Sequence, residues 1–126
     1  MSTLKLDTIA SRDGTESTDV TNVINGSAKA WVNFNAVSAV AVVTSFNVSS
    51  VTDVANGKFT VNFSTNFSDT DYAVVVGPTA INSTAYVRDL IVVSDTKAVS
   101  GFTLFNQHNQ NYGWYDNDEI SAVVFR

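Results

Sequence analysis

Apolar and polar residues alternate through most of the chain from Lys29 onward, with the period of two that is typical of β-strands. The segment AKAWVNFN places Phe34 on one face of a strand and Trp31 on the other. The segment KFTVNF repeats the alternation, with its phenylalanines and valine on one face and its polar residues on the other. The pattern therefore predicts strands with one buried face.

The dipeptide Asn56-Gly57 separates two alternating segments and is a strong signal for a tight hairpin turn. Further strands are predicted over 72–76, 85–93, 99–105 and 119–125. The segments YAVVV and ISAVVF are apolar on both faces, so a partner subunit could cover their second face. With about eight strands and no clear helix, we predict an all-β fold: a single antiparallel β-sandwich, jelly-roll-like, over residues 29–126.

Residues 1–28 differ from the rest, because LKLDTI is followed by a polar, turn-rich stretch that ends near Asn25-Gly26. We predict an extended N-terminal arm with one possible strand over residues 4–9. Leu4, Leu6 and Ile9 would anchor this arm to a neighbouring subunit. A disordered arm is the alternative that the sequence leaves open.

Composition narrows the functional classes. At 126 residues the chain is one domain plus at most an arm, and 20 valines against four leucines favour strands. The net charge is −5 and the seven Lys and Arg residues are scattered, so we expect no nucleic-acid binding. We expect no membrane insertion, because no apolar run reaches the roughly 18–20 residues that a span needs. The N-terminus shows no secretory signal, so synthesis in a cytoplasm is expected.

The chain has few residues suited to catalysis, because it has one histidine, no cysteine, and acidic residues that lie mostly in turn-like segments. We expect no enzyme activity, no catalytic residues and no cofactor. The acidic segments SDTD at 68–71 and DNDE at 116–119 could offer oxygen ligands to calcium. They lack EF-hand spacing, so we predict turns and no metal.

The segment NQHNQNYGWYDND is the best candidate for a contact surface. Rigid aromatic side chains among amides suit both carbohydrate stacking and protein contact. The predicted contact residues are Tyr112, Trp114, Tyr115 and His108. Packing of these aromatics in the core or at a subunit interface is the alternative.

Four segments of the sequence carry a family resemblance: AWVNFN, SFNVSSVTD and GKFTVNF within residues 25–76, and ISAVVF near the end. The chain resembles in them the C-terminal module of tailed-bacteriophage tail fibres. The resemblance is closest to fibres of phages that infect cyanobacteria and other aquatic bacteria. It implies a homotrimer at the virion surface that contacts host envelope components, glycan or protein, and other virion proteins. In such a trimer the interface or core residues would be Trp31, Phe34, Val74, Val76 and Val124. Residues 80–118 show no sequence similarity to this family, and we expect that region to diversify with the receptor.

We expect the chain to be complete from Met1 to Arg126, with one arm, one module and no shaft. Such a chain is short for a fibre, so other virion roles stay open. One is a capsid decoration (cement) protein that is anchored by its arm. Others are a small baseplate or tail subunit, and, from a different class, a carbohydrate-binding module.

Overall fold

The computed structural model describes residues 1–78, 88–108 and 113–126. In that part of the chain the strands and the helix are β1 (Thr8–Ala10), β2 (Ser17–Asp19), α1 (Val20–Gly26), β3 (Ala28–Asn35), β4 (Ala41–Phe46), β5 (Val48–Ala55), β6 (Lys58–Phe63), β7 (Ala73–Pro78), β8 (Arg88–Val92), β9 (Gly101–His108) and β10 (Ile120–Phe125). A single 3-10 turn covers Ser94–Thr96.

Strands β3 to β10 form two four-stranded antiparallel sheets that pack face to face. Sheet 1 has the order β4-β3-β10-β7, and sheet 2 has the order β5-β6-β9-β8. The chain is thus an all-β antiparallel sandwich, as the alternation predicts.

The core lies between the two sheets and takes one face of each strand. Phe34 of β3 meets Phe59 of β6 edge-to-face, with ring centroids 5.4 Å apart. Both rings are fully buried, as are Leu104 of β9 and Ile120 of β10. Because each strand buries every second residue, the outer faces of the sheets stay available for other contacts.

The predicted hairpin is confirmed: Asn56 and Gly57 join β5 to β6, and Ala55 pairs with Lys58 across the turn. Gly57 has a φ of 67°, in the left-handed region that favours glycine. A register shift between Asp53 and Ala55 accompanies it, so the turn is coupled to a β-bulge.

Tyr72 closes the end of the core that lies away from this hairpin. Its ring packs against Phe63 and Phe102, and its hydroxyl donates to the carbonyl oxygens of Gly101 (2.8 Å) and Ala98 (3.0 Å). Burial raises the pKa of Tyr72 above its ordinary value. The two hydrogen bonds of the hydroxyl tie the loop before β9 to the core.

The N-terminal region differs from the predicted extended arm. The predicted strand at residues 4–9 starts later, as β1, and pairs with β2 in a small ribbon. Helix α1 follows where the sequence predicted a polar linker, although Asp19 and Gly26 are residue types that favour the two ends of a helix. None of residues 1–27 is buried, so neither the ribbon nor α1 contributes to the core of the sandwich.

The later strands agree with the predicted segments to within a few residues. The predicted strand at 85–93 corresponds to β8, and its first residues fall in 79–87, outside the described residues. In the described ranges, no helix is long and apolar enough to cross a membrane.

Candidate functional site

The outer face of sheet 2 carries an aromatic and cationic cluster at the hairpin end. In register across the strands, Phe105 lies between Lys58 and Ile91. The Lys58 ammonium lies over the Phe105 ring, 5.0 Å from its centroid. Ile91 is exposed, so this row presents an apolar surface next to one positive charge.

Trp114 extends this cluster from the segment that precedes β10. It forms an isolated antiparallel bridge with Gln107, and its ring packs edge-to-face on Phe105 with centroids 4.5 Å apart. The residue nevertheless stays 40 % exposed. We call Lys58, Ile91, Phe105 and Trp114 the Trp114 patch.

The hairpin turn holds the backbone beside Trp114 in place. Asn56 Nδ2 donates to the Trp114 carbonyl oxygen at 2.6 Å, and the Gly57 N–H donates to Asp116 Oδ1 at 2.8 Å. The Gly57 carbonyl in turn accepts from the Asn106 N–H at 2.8 Å. Three separate segments of the chain therefore meet at this turn.

Asn106 has the buried side chain of this network, with no exposed surface. Its Nδ2 donates to the Tyr115 carbonyl at 2.7 Å, and its own carbonyl accepts from the Tyr115 N–H at 3.2 Å. Its Oδ1 has no hydrogen-bond partner among the described residues. A buried amide with two bonds to Tyr115 positions that segment more firmly than exposed contacts could.

Gly57 is also required sterically. A Cβ atom built there would lie 2.6 Å from the Tyr115 nitrogen and 2.7 Å from the Asn106 carbonyl oxygen. Both are backbone atoms, which cannot rotate out of the way as the end of a flexible side chain can. The close approach of the three segments therefore needs glycine at position 57.

This arrangement supplies a fixed aromatic surface flanked by an ammonium group and amides. The exposed part of Trp114 can stack on a sugar ring or pack against an apolar side chain, and Lys58 and Gln107 can hydrogen-bond beside it. Because hydrogen bonds already hold the backbone around Trp114, little conformational entropy would be lost when a ligand or partner contacts the patch.

The predicted contact residues are only partly brought together in the described structure. Trp114 is exposed on the patch, whereas Tyr115 is half-buried and its backbone belongs to the Asn106 network. His108 is the last residue of β9, opposite Arg88, and its side chain lies outside the described residues, as does Tyr112.

Sequence reasoning missed Lys58, Phe105 and Asn56 as parts of the site. The alternation of GFTLFNQH puts Phe105 on the outer face, which was the available signal. No local pattern indicates that Lys58 and Phe105 are neighbours across strands.

The acidic segments are engaged in protein contacts. Asp69 forms an ion pair with Arg126 and accepts the Asp71 N–H at 2.9 Å, and Asp116 accepts the Gly57 N–H. Over residues 1–78, 88–108 and 113–126, no three His, Asp or Glu side chains are grouped as metal ligands would be.

A second surface lies on the outer face of sheet 1. Phe46, Trp31, Val123 and Val75 face one another in register across β4, β3, β10 and β7, and we call them the apolar row. Phe46 is 54 % exposed and Val75 60 % exposed. The row crosses the whole sheet.

The residues predicted for the trimer interface or core divide between the two faces of sheet 1. Trp31 is on the outer face, in the apolar row. The others point inward: Phe34 and Val124 are buried core residues, and Val74 and Val76 pack against the core. Val75 of β7 and Val123 of β10 are on the outer face, in the apolar row.

The predicted arm anchors are exposed. Leu4 and Leu6 precede β1, and Ile9 lies within it. In the same region the carboxylate of Asp13 accepts from the hydroxyls of Ser11 (2.7 Å) and Thr15 (2.8 Å), which lowers its pKa to about 2. The turn of the ribbon is thus ordered by its own side chains, while Leu4 and Leu6 before the ribbon are exposed.

No family model, curated protein or solved structure matches the chain.

Proposed function

We propose that this chain is a non-enzymatic structural protein of a phage virion, of tail-fibre type, which forms a homotrimer at the particle surface and contacts the host envelope. The observation that carries the proposal is the Trp114 patch, where a tryptophan stays 40 % exposed although hydrogen bonds hold the backbone around it. The resemblance of residues 25–76 to tail-fibre modules supports the virion location.

The apolar row supports assembly into an oligomer, because exposed apolar surface that crosses a sheet is typical of a contact region. Its four residues span about 15 Å, at ~4.8 Å between strands. Four residues are far fewer than the roughly 20–30 that each partner contributes to a standard interface. We therefore infer that a neighbouring copy covers the row and that the exposed N-terminal region of that copy completes the interface.

Replacing Trp114 tests the host contact. Trp114→Ala should abolish binding to host cells, because the stacking surface is lost, while the oligomer persists and the lost packing on Phe105 lowers the unfolding midpoint only modestly. Binding is measured with fluorescently labelled protein on host cells, and assembly by light scattering coupled to gel filtration.

The matched control is Phe46→Ala, which removes an exposed aromatic from the other sheet. We expect this variant to weaken the oligomer. Its monomers should still bind host cells, with lower avidity. Full host binding by Trp114→Ala would rule out the patch as the receptor contact, and an unchanged oligomer of Phe46→Ala would rule out the row as the subunit interface.

A capsid decoration protein is the second candidate, and the exposed N-terminal region favours it. None of residues 1–27 is buried, and Leu4 is 81 % exposed, so this region offers apolar anchors to a surface outside the sandwich. Deleting residues 2–25 should then release the protein from capsids and lower their heat resistance. Full occupancy of capsids by the truncated protein would exclude the role.

Antibody labelling of intact virions separates the two functions. Label at the tail or its fibres, seen by electron microscopy, supports the receptor-contact proposal. Label distributed over the head supports decoration and makes residues 1–27 the functional region.

A further inference from the structure

The chain contains two Asn-Gly pairs, Asn25-Gly26 and Asn56-Gly57, which are open to the same spontaneous reaction. The glycine nitrogen attacks the asparagine Cγ, a new N–Cγ bond forms, the Cγ–Nδ2 bond breaks, and ammonia leaves with the proton that the glycine nitrogen gives up. Water then opens the five-membered succinimide at either carbonyl, which yields aspartate or isoaspartate. Glycine favours the reaction because it has no Cβ to shield its nitrogen and its backbone reaches the required angles easily.

Asn25 lies in a segment that can reach the reactive geometry. It is exposed in the last turn of α1, a seven-residue helix with no buried residue and no side-chain cap at its N-terminus. A helix this short has little stability of its own, so its last turn opens readily. The space where a Cβ of Gly26 would lie is empty, so no neighbouring segment packs against this glycine as segments do at Gly57.

Two side chains close that last turn. The Ser27 hydroxyl donates to the Val23 carbonyl, and the Lys29 ammonium donates to the Ile24 carbonyl. The helical backbone angle at Asn25 turns the Gly26 nitrogen away from Cγ. Opening of these two contacts therefore controls how often the reactive geometry is reached.

Asn56 is held in an unreactive geometry by the network around Trp114. Its Nδ2, the leaving group, donates to the Trp114 carbonyl, and the Gly57 N–H, the nucleophile, donates to Asp116. Gly57 is also wedged between the backbones of Asn106 and Tyr115. Attack on Cγ would require three segments of the sandwich to separate.

We propose that Asn25 is a spontaneous deamidation site at the junction between the N-terminal region and the sandwich, and that the fold protects Asn56 from the same reaction. Deamidation adds a negative charge four residues before Lys29. The isoaspartate product also adds a methylene group to the main chain between α1 and β3. The orientation of residues 1–24 relative to the sandwich should therefore change as the protein ages.

The test incubates the folded protein at mildly alkaline pH and follows both peptides by mass spectrometry, which detects the exchange of NH₂ for OH. Asn25 should convert faster than Asn56 by roughly tenfold or more, because exposed helix ends open far more often than core elements. In concentrated urea the two pairs should convert at similar rates. Equal rates in the folded protein would overturn the proposal, as would an unreacted Asn25 in a chain whose unfolded form reacts.

Variants test the control by the last turn of α1. Lys29→Ala should accelerate conversion of Asn25, whereas Lys5→Ala, which makes the same charge change elsewhere in this region, should not. Gly26→Ala should slow it without strain, since Gly26 lacks a positive φ and has open space around it. An unchanged rate for Gly26→Ala would show that the reaction does not pass through the succinimide.

Discussion

The two outer faces of the sandwich differ in whether a row of apolar side chains faces water or polar side chains hydrogen-bond to one another. Sheet 1 presents the apolar row, whose carbon atoms face water. Away from the Trp114 patch, sheet 2 presents hydroxyls and amides that bond to one another. Thr60 and Thr103 share a hydrogen bond of 2.9 Å, and Asn62 Nδ2 donates to Ser50 (3.1 Å) and Thr52 (3.0 Å).

This difference shows why alternation alone does not reveal a binding surface. The polar ladder of sheet 2 is satisfied within one chain and gains little from a partner. The apolar row gains from being covered, because burial removes its surface from water. The Trp114 patch is the exception on sheet 2, since the fold holds an aromatic in the exposed position there.

The largest expected effect comes from the turn that supports the patch. Gly57→Ala should lower the free energy of unfolding by about 2–4 kcal/mol, because the residue has a positive φ and its Cβ would clash with two backbone atoms. Gly77→Ala on sheet 1 is the control, since its Cβ would meet nothing within 4 Å. Urea unfolding measures the free energy of unfolding of both variants. A similar loss for both would show that the backbone contacts at Gly57 do not set it apart from Gly77.

A pair of asparagines gives the next contrast. Asn106→Ala should cost about 2 kcal/mol, because it removes the buried hydrogen bond from the Asn106 amide to the Tyr115 carbonyl. Asn33→Ala on the outer face of sheet 1 removes partly exposed bonds to Glu119 and Ser121 and should cost much less. Thermal unfolding of the two variants checks the order, and a larger loss for Asn33→Ala would contradict it.

The polar ladder should show a smaller effect. Thr60→Val removes the hydroxyl that pairs with the nearly buried Thr103 and should cost about 1 kcal/mol. Thr52→Val at the exposed edge of the same face serves as the comparison. If both variants were as stable as the parent protein, the ladder would contribute nothing to the fold.

The apolar row should affect stability least and association most. Val123→Thr should change the unfolding free energy of the monomer by no more than about 0.5 kcal/mol, as is usual for a substitution on an outer face. It should still shift the oligomer toward monomer, because a hydroxyl enters the proposed interface. Sedimentation over a range of concentrations measures the shift, and its absence would argue against the row as a contact between copies.

Local patterns predicted much of the sandwich. The Asn56-Gly57 turn, the inward face of β3 and the inward face of β6 follow from dipeptide chemistry and alternation. The N-terminal region was harder, because VTNVING has the β-branched residues of a strand and too few residues for a helical period. Asp19 and Gly26, at its two ends, were the local signals for α1.

The candidate site was predicted in part. Trp114 was identified because its segment is rich in aromatic and amide residues, a composition that can be recognised from the local sequence. Lys58 and Phe105 were missed, because they are 47 positions apart and meet only through the pairing of β6 with β9. Val74, Val76 and Val124, predicted for the interface or core, lie on the core side of β7 and β10, a choice that the alternation of these doubly apolar strands left open.

By itself the sequence determined the class of fold, the hairpin and the alternation of each strand, because these depend on residues close together in the chain. Only the tertiary structure decided which outer face carries the apolar row and which carries the ladder of hydroxyls and amides, since both depend on strand order and register. It also decided that Gly57, Asn106 and Trp114 meet at one point. Contacts between distant segments have no local signature, and the physical character of both surfaces rests on such contacts.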